Sequence, residues 1–166
     1  LDYLTTLLNE TAEETRRISH NLSPMVLEKY SLSEAIILFV QRLKLKDDQT
    51  PKIYTSIGNL PSNLPIILSV SIYRIVQELV QNAIKHARAQ SINILLNSHQ
   101  DKVLLIVEDD GVGLPQDWEN NPRGGIGLKN VKTRVSLLGG NIVIQTGLRK
   151  GTSILIEAPL LQNNSS

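Results

Sequence analysis

Cysteine is absent from the 166 residues. That excludes disulfides and thiolate metal sites and fits a reducing compartment, of which the cytoplasm is the simplest. A dominant charge is absent too: 17 basic and 16 acidic side chains leave a formal net charge of +1, too weak a field to drive nonspecific nucleic-acid binding. No apolar run approaches the roughly 20 residues that cross a bilayer as a helix, and the opening carries Asp2 and Glu10 rather than a basic leader, so this stretch reads as soluble. An initiating methionine is missing and the chain opens inside a helical pattern. The expectation is a fragment, with room upstream for a membrane anchor. What is present, 41% hydrophobic and 20% charged residues, is the composition of a folded body, here one domain with an appended helix.

Periodicity orders that body. Leu1, Leu4, Leu8, Ile18 and Leu22 fall at three- and four-residue steps, interrupted by Thr11 and Thr15, and predict an amphipathic helix ending at Ser23-Pro24. Its narrow seam suits a partner helix or the surface of its own domain. Ser31 or Ser33 caps a second helix, with Glu34 in the first turn and an end near Lys46. A strand follows over Lys52–Ile57, then a long helix from about Ile66 to His86 with a broad apolar face. Ser91–Ser98 and Lys102–Glu108 read as a hairpin turning at Gln100-Asp101. The stretch Gly111–Gly127 holds too many glycines and prolines for regular structure. A helix over Lys129–Leu138 stops at Gly139-Gly140, and two strands, Asn141–Thr146 and Thr152–Ala158, join around Lys150-Gly151. This order predicts an α+β, two-layer sandwich with helices on one face of a mixed, mostly antiparallel sheet.

Three features carry chemistry. On the long helix Arg74, Glu78, Asn82 and His86 recur every four positions, with Lys85 adjacent, placing a carboxylate and a carboxamide on one surface. A solvated helix face would look the same. Next, Asp109-Asp110-Gly111-Val112-Gly113 stands where an apolar strand runs out. Glycine lets backbone approach a ligand, and a carboxylate there can accept from an adenine amino group; an ordinary Asp-Gly turn is the competing reading. Last, Gly124-Gly125-Ile126-Gly127-Leu128 runs into a helix, offering free N–H groups and a favourable dipole to an anion.

No G-x-x-x-x-G-K-[ST] loop occurs, and the glycines come too late for a dinucleotide fold. The order of the three features instead resembles the Bergerat-fold ATPases, which include sensor histidine kinases, gyrase-type topoisomerases and mismatch-repair clamps. Glu78-Leu79-Val80-Gln81-Asn82-Ala83-Ile84-Lys85-His86-Ala87 matches the family's helix motif. The resemblance implies ATP and Mg²⁺ as ligands, with Asn82 on the metal, Lys85 and His86 neutralising phosphate, and Glu78 nearest the transferred group as the catalytic residue. It further implies adenine recognition by Asp109 with Thr152, room for the base at Gly111 and Gly113, and a lid hinged at Gly125 and Gly127 running into Leu128.

The segment Glu14–Pro24, followed by Leu27–Ala35, is similar to the second dimerisation helix and exit of sensor kinases of the nitrate-responsive and LytS-like kind. The implied organisation is a partial dimerisation hairpin over 1–24, a catalytic ATP-binding domain over 25–160 and a disordered tail over 161–166. The implied activity is that of a protein histidine kinase in a two-component system, dimeric through its N-terminal helix and relaying phosphate to a response regulator. The surroundings of His20 are similar to a phosphoacceptor box, but Asn21 stands where an acid is expected and Pro24 arrives one place early. His20 is read as structural, the acceptor histidine lying upstream of this chain. Two other members of the fold are weighed against this reading. An ATP-gated clamp is disfavoured by the short lid, about ten residues between Gly113 and Gly124, and an anti-sigma-type serine kinase by the dimerisation-like helix. A nucleotide-free interaction module is disfavoured because every motif residue is in place.

Overall fold

The alternating segments pair into one sheet, and the helically spaced segments cover one of its faces. The computed structural model describes residues 24–45, 50–115, 117–118, 126–147 and 150–160. Its elements are α1 (Pro24–Lys29), α2 (Leu32–Lys44), β1 (Lys52–Ile57), α3 (Ile66–Asn82), β2 (Ser91–His99), β3 (Lys102–Asp109), α4 (Ile126–Leu137), β4 (Asn141–Gly147) and β5 (Gly151–Pro159). The sheet order is β1-β2-β3-β5-β4, with β1 parallel to β2 and every other pairing antiparallel. The expected mixed, mostly antiparallel α+β sandwich is the fold observed. The helix expected over residues 1–22, His20 within it, and the 161–166 tail lie outside the described residues.

Strand alternation decides which face is covered. Ile92, Ile94 and Leu96 on β2, Val103, Leu105 and Val107 on β3, and Ile154, Ile156 and Ala158 on β5 are buried. They form one core with Ile36 of α2, Ile72, Ile75, Val76 and Val80 of α3, and Val131 and Val135 of α4. Each such aliphatic side chain contributes about 1.5–3 kcal/mol on burial. Intervening residues such as Leu95 and Val143 stay exposed, so there are two layers and not three. Among the described residues no helix is long and apolar enough to cross a membrane.

The boundaries differ from expectation in three places, each with a local cause. Helix α1 starts at Pro24, where a break was expected; proline suits a first helical turn because its missing N–H would have no partner there. Regular α geometry ends at Asn82 and continues as a π-helical turn over Ala83–Ala87, closed by left-handed Arg88 at φ 50°. Helix α4 begins at Ile126, so Gly127 lies inside it; a glycine that packs against another helix does not end its own. At the far end of α4 the Gly140 N–H donates to the Val135 carbonyl at 2.9 Å, and Gly139 takes φ 67°, the terminator expected there.

Helix α2 starts with a reciprocal cap. The Glu34 N–H donates to Ser31 Oγ at 3.3 Å, and the Ser31 N–H donates to Glu34 Oε2 at 2.8 Å. Ser31→Ala should therefore lower the free energy of unfolding by about 1 kcal/mol, read as a lower urea midpoint with unchanged slope. An unmoved midpoint would show that this cap adds nothing.

Candidate functional site

The C-terminal half of α3 sets out the first group of residues. Leu79, Val80 and Ala83 are buried and fix the helix on the sheet, which leaves Arg74, Glu78 and Asn82 partly buried along the adjoining stripe. The start of α4 lies directly against this stripe. A Cβ at Gly127 would overlap Glu78 Oε1 and lie 2.9 Å from Asn82 Nδ2, so a larger residue there has to displace both side-chain ends. Lys85 and His86 project from the π turn into solvent.

The π turn leads to the second group. The Val112 N–H donates to the Ala87 carbonyl at 2.8 Å, and a Cβ at Gly111 would overlap that same carbonyl oxygen. The end of the α3 segment is thereby joined to the exit of β3. Asp109, the last residue of β3, pairs across the ladder with Thr152 of β5 and lies on the helix-facing side with Val107. Its Oδ1 accepts the Gly111 N–H at 2.9 Å. Burial pushes the Asp109 carboxyl above its usual range, with N–H donation from Gly111 and Thr152 opposing and the Asp110 charge adding to the rise.

Asp110 does something different. Its Oδ1 accepts the N–H groups of Gln90 at 2.7 Å and Ser91 at 2.9 Å, and its Oδ2 accepts Ser91 Oγ–H at 2.7 Å. The Ser91 bonds hold its carboxyl below the usual range, the Gln90 N–H adding to them. Asp110 is a clip between the β3 exit and the β2 start. Gly113 takes φ 79°, and beyond it the Leu114 N–H donates to Thr146 Oγ1 at 2.7 Å. Thr146 Oγ1 stands 3.4 Å from Thr152 Oγ1, so the loop after Gly113 is tied to the edge of the sheet beside Asp109.

The eleven residues singled out from sequence are thus distributed as follows. Glu78, Asn82 and Gly127 meet one another; Asp109 meets Gly111 and Thr152, with Gly113 reaching that group through Thr146; and the Ala87–Gly111 contact bridges the two groups. A cavity of about 450 Å³ is lined by Asp109, Thr146, Lys150, Gly151 and Thr152 with neighbouring strand residues, and its lining does not include Asn82 or Glu78. Leu128 is buried in the core, so its side chain faces the sheet and only its backbone lies at the helix start. Gly125 lies outside the described residues. Thr146 and the clip at Asp110 were not anticipated. Their roles depend on cross-strand register, Thr146 opposite Thr152, which no single segment displays.

Comparison with known proteins gives the same direction. The family model "Histidine kinase-, DNA gyrase B-, and HSP90-like ATPase" matches residues 68–162. Sensor histidine kinase ComP of Bacillus subtilis is 32% identical over 154 residues, covering 92% of this chain and 20% of its own length. A sensor-like histidine kinase of Chloroflexus aurantiacus is 31% identical, covering 96% of this chain and 28% of its own. The chain therefore spans under a third of these two relatives. Among solved structures, the blue-light activated histidine kinase of Erythrobacter litoralis EL346 superposes with a TM-score of 0.71 at 24% identity, covering 95% of this chain and 52% of that one. Its histidine kinase domain superposes at 0.55 with 29% identity, covering 67% of this chain and 52% of that chain.

The neighbouring carboxylates should separate in a pH titration of stability. A carboxyl raised in the fold holds its proton to higher pH than in the unfolded chain, so the Asp109 contribution weakens stability as pH rises from the ordinary aspartate value through the raised one. Asp110 is lowered, so its contribution is present above the ordinary value and is lost as pH falls through the lowered one. At pH 7 Asp109→Asn should raise the melting temperature and Asp110→Asn should lower it, and the two effects should shrink together in acid. Equal shifts of one sign at pH 7 would contradict the assignment.

Proposed function

The chain belongs to the histidine kinase-, DNA gyrase B- and HSP90-like ATPase family, and on that footing we propose that it is the ATP-binding catalytic portion of a sensor histidine kinase. In this reading it transfers the γ-phosphoryl group of ATP to a histidine on a dimerisation helix upstream of these residues, for relay to a response-regulator aspartate. The observation that carries the reading is the convergence of Gly127 of α4 on Glu78 and Asn82 of α3, with Gly111 bonded through its neighbour to the end of the same helical segment. Gly111 is required there by contact with the Ala87 backbone carbonyl, and Gly127 lies against the side-chain ends of Glu78 and Asn82.

The residues suit a magnesium–nucleotide ligand. Among the described residues the Asn82 carboxamide has no hydrogen-bond partner, and an amide oxygen is a suitable hard donor for a cation that keeps most of its water shell. Bound Mg²⁺ would supply charge neutralisation on the phosphates. In this reading Lys85, exposed on the π turn with His86 beside it, would add positive charge toward the phosphates, and the backbone N–H groups in the first turn of α4 have no partners within their own helix. Asp109 is partly desolvated and keeps lone pairs beyond the bond from Gly111, as recognition of an exocyclic amino group requires. Phosphoryl transfer asks mainly for positioning and neutralisation of charge. Glu78, beside the α4 start, is the group we assign to accept the proton of the acceptor imidazole.

Membership of a dimeric, membrane-associated cytoplasmic sensor is part of the same proposal and follows from the kinases it resembles. The test combines binding and transfer. Titration calorimetry with MgATP should give saturable heat for the chain, with affinity lowered about tenfold or more by Asp109→Asn and by Asn82→Ala. Glu78→Gln should keep nucleotide affinity while lowering transfer to an added protein carrying the upstream helix by about a hundredfold. With ATP alone the chain should stay unlabelled at His20. Absence of MgATP heat would favour a nucleotide-free module, and label mapped to His20 would place the acceptor inside this chain.

A further inference from the structure

The start of α3, at the opposite end of the helix from Glu78 and Asn82, carries a polar group that the fold leaves unmet. Ser69 is only 7% exposed. Its backbone N–H donates to the Pro65 carbonyl at 3.0 Å, but among the described residues its hydroxyl has no hydrogen-bond partner. A buried hydroxyl without a partner is costly, and buried polar groups in folded proteins are nearly always bonded. The same helix end is uncapped: Pro65 stands at the N-cap and makes no side-chain hydrogen bond, so the N–H groups of the first turn have no partner within the helix.

Ser69 and Ile66 line a cavity of about 280 Å³. Its apolar wall is made by Leu27 of α1, Leu32 of α2, and Leu60 and Leu64 of the connection between β1 and α3. Among the described residues no charged side chain lines it. Ser31 is also in the lining, but its N–H and hydroxyl are both committed to Glu34. Ser33 and Ser62 add hydroxyls that solvent reaches. The cavity thus has leucines along its walls and, at the α3 end, a buried O–H beside unpartnered N–H groups. It is separate from the proposed nucleotide site, since Ser69 and Asn82 are about 20 Å apart along α3 at about 1.5 Å per residue.

We propose that this cavity is a binding site for a small uncharged molecule carrying a carbonyl oxygen on a short aliphatic chain. The carbonyl oxygen accepts from the Ser69 hydroxyl and from the N–H groups that open α3, and the chain lies against Leu27, Leu32, Leu60 and Leu64. An ammonium head group is opposed by donors and by the positive end of the helix dipole. A carboxylate head group finds no cation in the lining to balance it, and the Glu34 carboxylate stands at the wall on Ser31. The volume, at the small end of the range for ligand pockets, suits a chain of about six carbons. The site is independent of the kinase reading.

The test titrates the whole chain with hexanamide, followed by the NMR shifts of its methyl groups, with hexylammonium and hexanoate as probes of equal chain length. Hexanamide should bind saturably, with a dissociation constant of about 1 mM or below, and shift the methyls of Leu27, Leu60, Leu64 and Ile66. Both charged probes should bind at least about tenfold more weakly. Ser69→Ala should weaken hexanamide about fivefold or more, and should leave the melting temperature of the unliganded chain unchanged or raised, because it removes a hydroxyl that has no partner. Saturating MgATP should not displace hexanamide. Absence of saturable shifts, shifts centred on other residues, equal binding of either charged probe, displacement by MgATP, or undiminished affinity in Ser69→Ala would each overturn the proposal. So would a lowered melting temperature of unliganded Ser69→Ala, which would show that the protein already supplies the hydroxyl with a partner.

Discussion

The hydrogen bond from the Val112 N–H to the Ala87 carbonyl, made possible because Gly111 has no Cβ to block it, is the constraint on which the candidate site depends. Helix α3 and strand β3 share one core, with Leu79, Val80 and, in the turn that follows, Ala83 in the same cluster as the buried β3 residues Val103, Leu105 and Val107. A backbone–backbone bond between their exits adds a direct tie between the polar ends. It holds the Asn82 end of the helical segment and the Asp109 end of the strand in one neighbourhood without committing a side chain to the task. An alanine at position 111 would press its methyl into the acceptor carbonyl and separate the two ends while leaving each element folded.

Around that bond the protein divides two adjacent carboxylates between opposite tasks. Asp110 accepts three hydrogen bonds from Gln90 and Ser91, and a carboxylate with that many donors stabilises the fold. Asp109 is desolvated with fewer donors, which lowers stability and keeps acceptor capacity open. Groups left uncompensated inside an otherwise consistent fold are where binding is expected, because a ligand can supply the partners that the fold does not.

Much of this was legible in the sequence because it was periodic. Alternation over Ser91–Ser98 and Lys102–Glu108 gave both strands and their turn, Ser31 with Glu34 gave a cap, and Gly139-Gly140 gave a helix end. The motif residues Glu78, Asn82 and Asp109 could be named because a family pattern fixes their spacing, not because a four-residue stripe on a helix is itself diagnostic. Three things were not legible. The start of α4 at Ile126 was hidden because Gly127 looks like a breaker, and its reason lies on another helix. The π turn over Ala83–Ala87 leaves no mark in composition. Thr146 acquires its partners only once β4 and β5 are in register.

The π turn shows how the two kinds of information meet. A continued α-helix advances about 100° per residue and a π turn less, so five residues in the wider turn rotate the chain differently from five in the narrower one. Ala83 and Ala87 stay buried while Lys85 and His86 stay exposed. The segment must satisfy the core on one side, offer the Ala87 carbonyl to Val112, and then reverse through left-handed Arg88 into β2. The last four carbonyls of any helix have no partner within it, and the carbonyl of Ala87, the final residue of the π turn, is one of these and accepts from the strand exit. Alanine at 83 and 87 permits this, since neither side chain demands space as the turn widens. The irregularity thus lies where the helix stops serving its own hydrogen-bond ladder and joins the exit of β3.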